Sequence, residues 1–299
     1  MKGKNFISIL FYYRNADRYI SDFFGKLIPV MDNNFDNYEL ICVDNESKSE
    51  SIGKLKEYHA QHCPNVPMTV ISLPYCKSIE EAMVVGIDMA IGDFIYEFDN
   101  ILIDYEPDQI KHCFDVCVSG KDVVMLCPNS KVTAKQRLYY GLYNFGVAKD
   151  KRIYPIRFKL FSRRAINRVE KISEGGFNTA ATISNCGLDF ENVFYKPSKN
   201  YIKYDREELK ERVNKGVETL IMNTNSLQKL TLIGSVLCGI AGVARMLSSK
   251  EDRVGLPLLI IACQGISSCT IISYLSTVIS VKSKKDLRLV KNIEKVIGQ

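Results

Sequence analysis

Short apolar runs alternate with amphipathic stretches along the amino-terminal part of the chain. Phe6–Tyr12 (F-I-S-I-L-F-Y) has the length of a buried strand, and Tyr38–Val43, Met68–Leu73, Phe94–Phe98 and Val123–Cys127 repeat the pattern. Between them the period changes. Ile20, Phe23, Phe24, Leu27 and Ile28 recur at helical spacing, while Ser51–His62 and Ile79–Ala90 read as amphipathic helices. A further helix opens near Asp108, a candidate N-cap for Gln109–Cys117. Strands that alternate with helices of about 10–15 residues predict βαβ units and a mainly parallel, doubly wound α/β sheet.

Past Lys131 the pattern is different. Ala134–Lys149 is helix-like and rich in aromatic residues, and Arg157–Ile166 (R-F-K-L-F-S-R-R-A-I) reads as a strand entering a helix with a basic face. Arg206–Met222 is amphipathic, with Leu209, Val213, Val217, Leu220 and Ile221 on one side. Such a helix packs on a soluble domain or lies in a membrane interface. Leu230–Leu247 carries one charge, Arg245, near its end where it can snorkel, and Leu256–Val281 carries none. Both approach or exceed the roughly 20 residues that a bilayer requires. Gly234, Gly239, Gly242, Gly265, Ser267 and Ser268 allow close helix packing, and the short connection predicts an antiparallel hairpin. Those small-residue faces also permit a homo-oligomer. Lys282, Lys284, Lys285, Arg288 and Lys291 follow the second span. The positive-inside rule therefore places that end in the cytoplasm, and an even number of spans places the amino-terminal domain there too.

Composition narrows the classes. The chain has 299 residues, room for a catalytic-sized domain and an appendage. A net charge of +6 is too thin for a nucleic-acid partner. The mean hydropathy of -0.06 averages a soluble front and an apolar rear. Ten cysteines without a C-x-x-C pair, and only three histidines, argue against a zinc site. Phe6–Tyr13 is too short for a signal-peptide core, so the cysteines are expected to stay reduced in the cytosol. Neither G-x-G-x-x-G nor a phosphate-binding P-loop is present, against a dinucleotide enzyme or an NTPase.

Candidate chemistry is acidic. Asp44 ends the second predicted strand and Asp99 the fourth, so a parallel sheet brings both to one edge. That is the edge where α/β sheets bind ligands, and carboxylates there can hold a metal or a sugar hydroxyl. Asp104, Glu106 and Asp108 follow in one loop, which could equally be a solvated turn before the next helix.

Three segments, F-I-S-I-L-F-Y-Y-R-N, Y-E-L-I-C-V-D-N-E-S-K-S-E-S and G-D-F-I-Y-E-F-D-N-I-L, together resemble glycosyltransferase family 2, a family with the GT-A fold. Val43-Asp44-Asn45-Glu46-Ser47 stands where that family has V-D-D-G-S. Gly92, Asp93 and Asp99 match the frame of its D-x-D motif, with Ile101 at the second acid. The resemblance implies a nucleotide-sugar donor, a UDP-sugar ahead of a GDP-sugar, lined by Tyr12, Asp44, Asp93 and Asp99. It also implies Mg2+ or Mn2+ on Asp99, with Asp99 and Asp104 as the catalytic pair.

The R-F-K-L-F-S-R-R-A segment and the paired apolar stretches resemble the subgroup that acts on polyprenyl phosphate, which includes dolichol-phosphate mannose synthases and bactoprenol-phosphate glucosyltransferases. This implies Arg157, Arg163 and Arg164 as phosphate contacts and a polyprenyl phosphate lipid as acceptor. The expected organisation is a cytoplasmic GT-A domain over 1–204 and an interfacial helix over 205–225, then a transmembrane hairpin over 226–282 and a basic cytoplasmic tail over 283–299. Transfer to a capsular or cell-wall glycan, and a catalytically degenerate scaffold, are the alternatives. A transporter is disfavoured, because the two apolar stretches lack intramembrane polar pairs.

Overall fold

In a computed structural model of the chain the described residues are 3–74, 79–129, 134–145, 147–170, 183, 187–198, 226–248, 255–283 and 292–296. Their strands are β1 (Gly3–Tyr13), β2 (Phe35–Asn45), β3 (Met68–Leu73), β4 (Phe94–Phe98), β5 (Val123–Pro128), β6 (Phe158–Ser162), β7 (Phe190–Tyr195) and β8 (Asn292–Val296). Their helices are α1 (Ile20–Asn34), α2 (Ser49–His62), α3 (Ile79–Met89), α4 (Asp108–Val118), α5 (Ala134–Tyr143), α6 (Arg163–Glu170), α7 (Ser226–Ser248) and α8 (Gly255–Ser283). The expected helix over Arg206–Met222 and the basic run Lys284–Lys291 lie outside the described residues. The chain divides into two compact units. One gathers Met1–Lys131, Ile153–Arg206 and Leu287–Gln299, the other Val132–Arg152 and Glu207–Asp286.

The first unit is a mixed α/β domain on one eight-stranded sheet, in the order β7-β5-β6-β4-β1-β2-β3-β8. β1 pairs in parallel with β2 and β4, β2 with β3, and β5 with β7. β6 runs antiparallel between β4 and β5, and β8 antiparallel along β3. The sheet is thus mostly parallel, as the alternation of runs predicts. Part of the expected basic tail pairs with the sheet. Asn292–Val296 covers the outer edge of β3, where Lys56 of α2 meets Glu294 at 2.6 Å. An uncovered β3 would expose a row of unpaired backbone groups, which explains why even a short polar strand docks there.

Strand alternation builds a core on each face. Ile7, Ile9, Phe11 and Tyr13 of β1 point to one side, against Phe23, Phe24 and Leu27 of α1 and Ile110 and Phe114 of α4. Leu10 points to the other, among Val43, Ile71, Met83 and Ile87. Phe11, Phe23, Phe24 and Phe98 pack with ring centroids 5.4–5.9 Å apart, mostly edge to face.

The turn into β4 tolerates no side chain. Gly92 donates its N–H to Ser8 Oγ at 2.8 Å, and a Cβ on it would lie 2.5 Å from the Ser8 backbone nitrogen and 2.9 Å from the Phe6 carbonyl. Backbone cannot rotate away as a side chain can. Gly92→Ala is therefore expected to cost about 2–3 kcal/mol, the upper range for overpacking, measured as a shifted denaturant midpoint at unchanged slope.

In the second unit α7 and α8 pack against each other. A Cβ on Gly265 would fall 1.9 Å from Ser235 Oγ, and one on Gly239 would fall 3.7 Å from Ala262. Numbers that rise along α7 meet numbers that fall along α8, so the pair is antiparallel. Glycine at 265 lets the backbones approach closely. Outward, α7 exposes Leu232, Ile233, Val236, Leu237 and Ile240, and α8 exposes Ile260, Ile261, Ile266 and Ile271. Among the described residues one stretch, Pro257–Leu275, is long and apolar enough to cross a bilayer by length and composition.

Candidate active site

The carboxyl edge of β1, β2 and β4 gathers Tyr12, Asp44 and Asp99. Tyr12 and Asp44 stand in the last turns of register between β1 and β2, and Asp99 directly follows Phe98. The loops above β1 and β2 are tied together. Asn45 Nδ2 donates to the Tyr12 hydroxyl at 2.9 Å, the Ser47 N–H to Asp44 Oδ1 at 3.0 Å, and the Lys48 N–H to Asn15 Oδ1 at 2.9 Å. Asn15 and Glu46 hold left-handed backbones, φ 49° and 56°. Asn accepts that conformation readily, whereas for Glu it is uncommon and marks a loop shaped by its surroundings.

Beside Asp99 lies an ion pair absent from the sequence reading. Glu97 of β4 and Lys159 of β6 face each other across the antiparallel pair, 0% and 2% exposed. Lys159 Nζ donates to Glu97 Oε1 at 2.6 Å and to Asp99 Oδ1 at 3.2 Å. Burial pushes the Glu97 carboxyl up, the Lys159 ammonium pulling the other way. Ile101, at the second acid position of the D-x-D frame, is 2% exposed within the apolar core.

Five expected contacts sit elsewhere or are already engaged. Asp93 lies before β4, at the amino edge, where Oδ2 accepts the Phe6 N–H at 2.9 Å and the backbone N–H donates to the Phe6 carbonyl at 2.7 Å. Because β6 is antiparallel to β4, Ser162 pairs with Phe94 and Phe158 with Phe98. Arg163 and Arg164 therefore also fall at the amino edge. Arg163 donates to the carbonyls of Gly92 and Ala90 at 3.0 and 2.6 Å, and Arg164 to Asp122 at 2.7 Å. These three are corrections to the expected donor and phosphate contacts: they pin the amino end of the sheet. Asp104 is engaged rather than displaced. It is at the right edge but 1% exposed, gripped by Arg157 at 2.7–3.0 Å and by the Tyr195 hydroxyl at 2.6 Å. A carboxylate so held is a clamp between the loop after β4, β6 and β7. Arg157, its partner, has its charge met inside the protein.

The donor set is therefore a poor cage for a divalent cation. One partly exposed carboxylate, a buried ammonium beside it and an isoleucine do not supply the oxygen ligands that Mg2+ or Mn2+ require. Among the described residues no three Asp, Glu, His or Cys side chains converge.

No protein-family model matches the chain. It is 25% identical over 176 residues to an uncharacterized glycosyltransferase of Synechocystis, and 26% identical over 165 residues to a Bacillus subtilis protein named as a glycosyltransferase, CsbB. Those matches take in 56% and 54% of this chain. They span only 54% and 49% of the relatives, about half the length of each. A mannosyltransferase of Pyrobaculum calidifontis, solved with GDP-mannose and Mn2+, superposes over 96% of this chain and 77% of its own, with a TM-score of 0.51 at 13% identity. Glucosyl-3-phosphoglycerate synthase of Mycobacterium tuberculosis, solved with Mn2+, UDP and phosphoglyceric acid, covers 73% of this chain and 78% of its own, with a TM-score of 0.55 at 16% identity. Both relatives and both structural neighbours are glycosyltransferases, and the mostly parallel sheet with one antiparallel strand inserted beside β4 has the GT-A nucleotide-sugar transferase fold.

Proposed function

We propose that this protein is a membrane-anchored glycosyltransferase that moves a sugar from a nucleotide-diphosphate donor, a UDP-sugar ahead of a GDP-sugar, to a polyprenyl phosphate. The observation that carries the reading is the joint placement of Tyr12, Asp44 and Asp99 at the carboxyl edge of a GT-A sheet. The structural neighbours were solved with GDP-mannose or UDP and Mn2+. In this reading Tyr12 and Asp44 contact the nucleoside and Asp99 accepts from hydroxyls of the donor sugar.

The engagement of Asp104 supports the acceptor class. A hydroxyl acceptor needs a base, and the candidate for that role is committed to Arg157 and Tyr195. A phosphate acceptor arrives as an anion and attacks without one. The outward apolar faces of α7 and α8 support an anchor where a lipid acceptor resides, which raises its effective concentration. One observation, the buried Ile101, favours a second reading in which the chain binds a nucleotide sugar and transfers nothing.

The test uses membranes that contain the protein, polyprenyl phosphate and radiolabelled UDP- and GDP-sugars, extracted with organic solvent. Label in the lipid phase is the expected result. Donor binding without label would favour the second reading.

Topology gives a separate prediction. The chain leaves the sheet before α7 and returns to it at β8, so two crossings with both ends in the cytoplasm fit the fold. An epitope inserted after Lys250 should be reached by antibody on intact cells, and one fused after Gln299 only after permeabilisation.

A further inference from the structure

The carboxylate at the proposed donor edge has a cation built into the protein beside it. Lys159 is fixed between Glu97 and Asp99, at 2.6 and 3.2 Å, and is 2% exposed. Of the three, Asp99 alone reaches solvent, its side chain 28% exposed. A divalent ion arriving at Asp99 would come within a few ångströms of an ammonium that has no room to swing out, and two like charges at that distance repel. It would also find Ile101, packed in the core, where a second carboxylate would be needed. At the same edge, two exposed cations, Arg14 and Lys48, lie on the loops that follow Tyr12 and Asp44.

We propose that Lys159 takes the electrostatic place of a divalent ion at Asp99, so that the donor nucleotide binds this chain without Mn2+ or Mg2+. The inference rests on the nucleotide-sugar reading above and departs from the Mn2+ complexes of the structural neighbours. Lys159 acts through Asp99. It balances that carboxylate from inside, which leaves Asp99 free to accept from sugar hydroxyls without an inorganic counter-ion and leaves the diphosphate to the loop cations.

The experiment titrates UDP and GDP into the full chain in detergent micelles, once with Mn2+ and once with EDTA, by calorimetry. The expected dissociation constants agree within about threefold, and a loss of about tenfold or more in EDTA overturns the proposal. Lys159→Met is predicted to reverse the behaviour. With Asp99 and Glu97 released, nucleotide binding should become dependent on Mn2+, and the variant should bind Mn2+ more tightly by electron paramagnetic resonance. If Lys159→Met fails to fold, Lys159→Met with Glu97→Gln removes both buried charges and keeps Asp99 uncompensated, with the same expectation. A folded variant that still binds UDP equally well in EDTA reduces Lys159 to a structural ion pair and contradicts the proposal. Binding of neither nucleotide under any condition removes the donor-site reading itself, and the inference with it.

Discussion

Asp104→Ala is expected to destabilise the sheet domain by about 3–5 kcal/mol, a large fraction of the stability of an ordinary domain. The carboxylate is 1% exposed and takes bonds from Arg157 Nε, Arg157 Nη2 and the Tyr195 hydroxyl. Its removal takes the carboxylate from a guanidinium whose side chain is only 18% exposed, and the acceptor from a buried phenol. The loss is larger than that of a surface ion pair, because the desolvation already incurred by Arg157 is no longer offset. Urea unfolding of the purified protein measures it. A loss below about 1 kcal/mol would mean that the clamp is weaker than its geometry implies.

Asp99→Ala should do the reverse, leaving the fold and removing the activity. Its side chain is 28% exposed and accepts one bond from Lys159, which keeps its shorter bond to Glu97. The expected stability cost is about 1 kcal/mol, while transfer should fall by at least about 100-fold, the scale on which single preorganised groups act on a transition state. Initial rates of label transfer at matched protein folding check this. The contrast between the two aspartates, five residues apart, separates a clamp from a site residue.

Much of the sheet was legible from the sequence because buried parallel strands are nearly continuous apolar runs. β3 and β4 coincide with Met68–Leu73 and Phe94–Phe98, and β1, β2 and β5 extend their predicted runs by a few residues. The common edge of Asp44 and Asp99 followed from the same alternation. What misled was direction. β6 was readable as a strand, but nothing local told that it runs backwards between β4 and β5. That reversal carries Arg163 and Arg164 to the amino edge and puts Arg157 at the carboxyl edge. Asp93 was misassigned for a simpler reason: a residue before a parallel strand lies at its amino edge, and the motif frame overrode that. β7 and β8 are short and half polar, and are stabilised by partners some 67 and 225 residues away in sequence, so no local pattern announces them. Glu97 and Lys159 did leave a trace. Each is a lone charge inside an apolar strand, F-I-Y-E-F and F-K-L-F, and buried charges of opposite sign are seldom found unpaired.

The most direct measurement of the central claim, a nucleotide site at the carboxyl edge, is hydrogen exchange by mass spectrometry with and without UDP. Slower exchange should appear in residues 14–17, 46–48 and 100–103, the loops that follow β1, β2 and β4. Residues 90–93 and 163–166, at the amino edge, should be unchanged. Protection at the amino edge in place of those loops would put the anion on Arg163 and Arg164 and contradict the account.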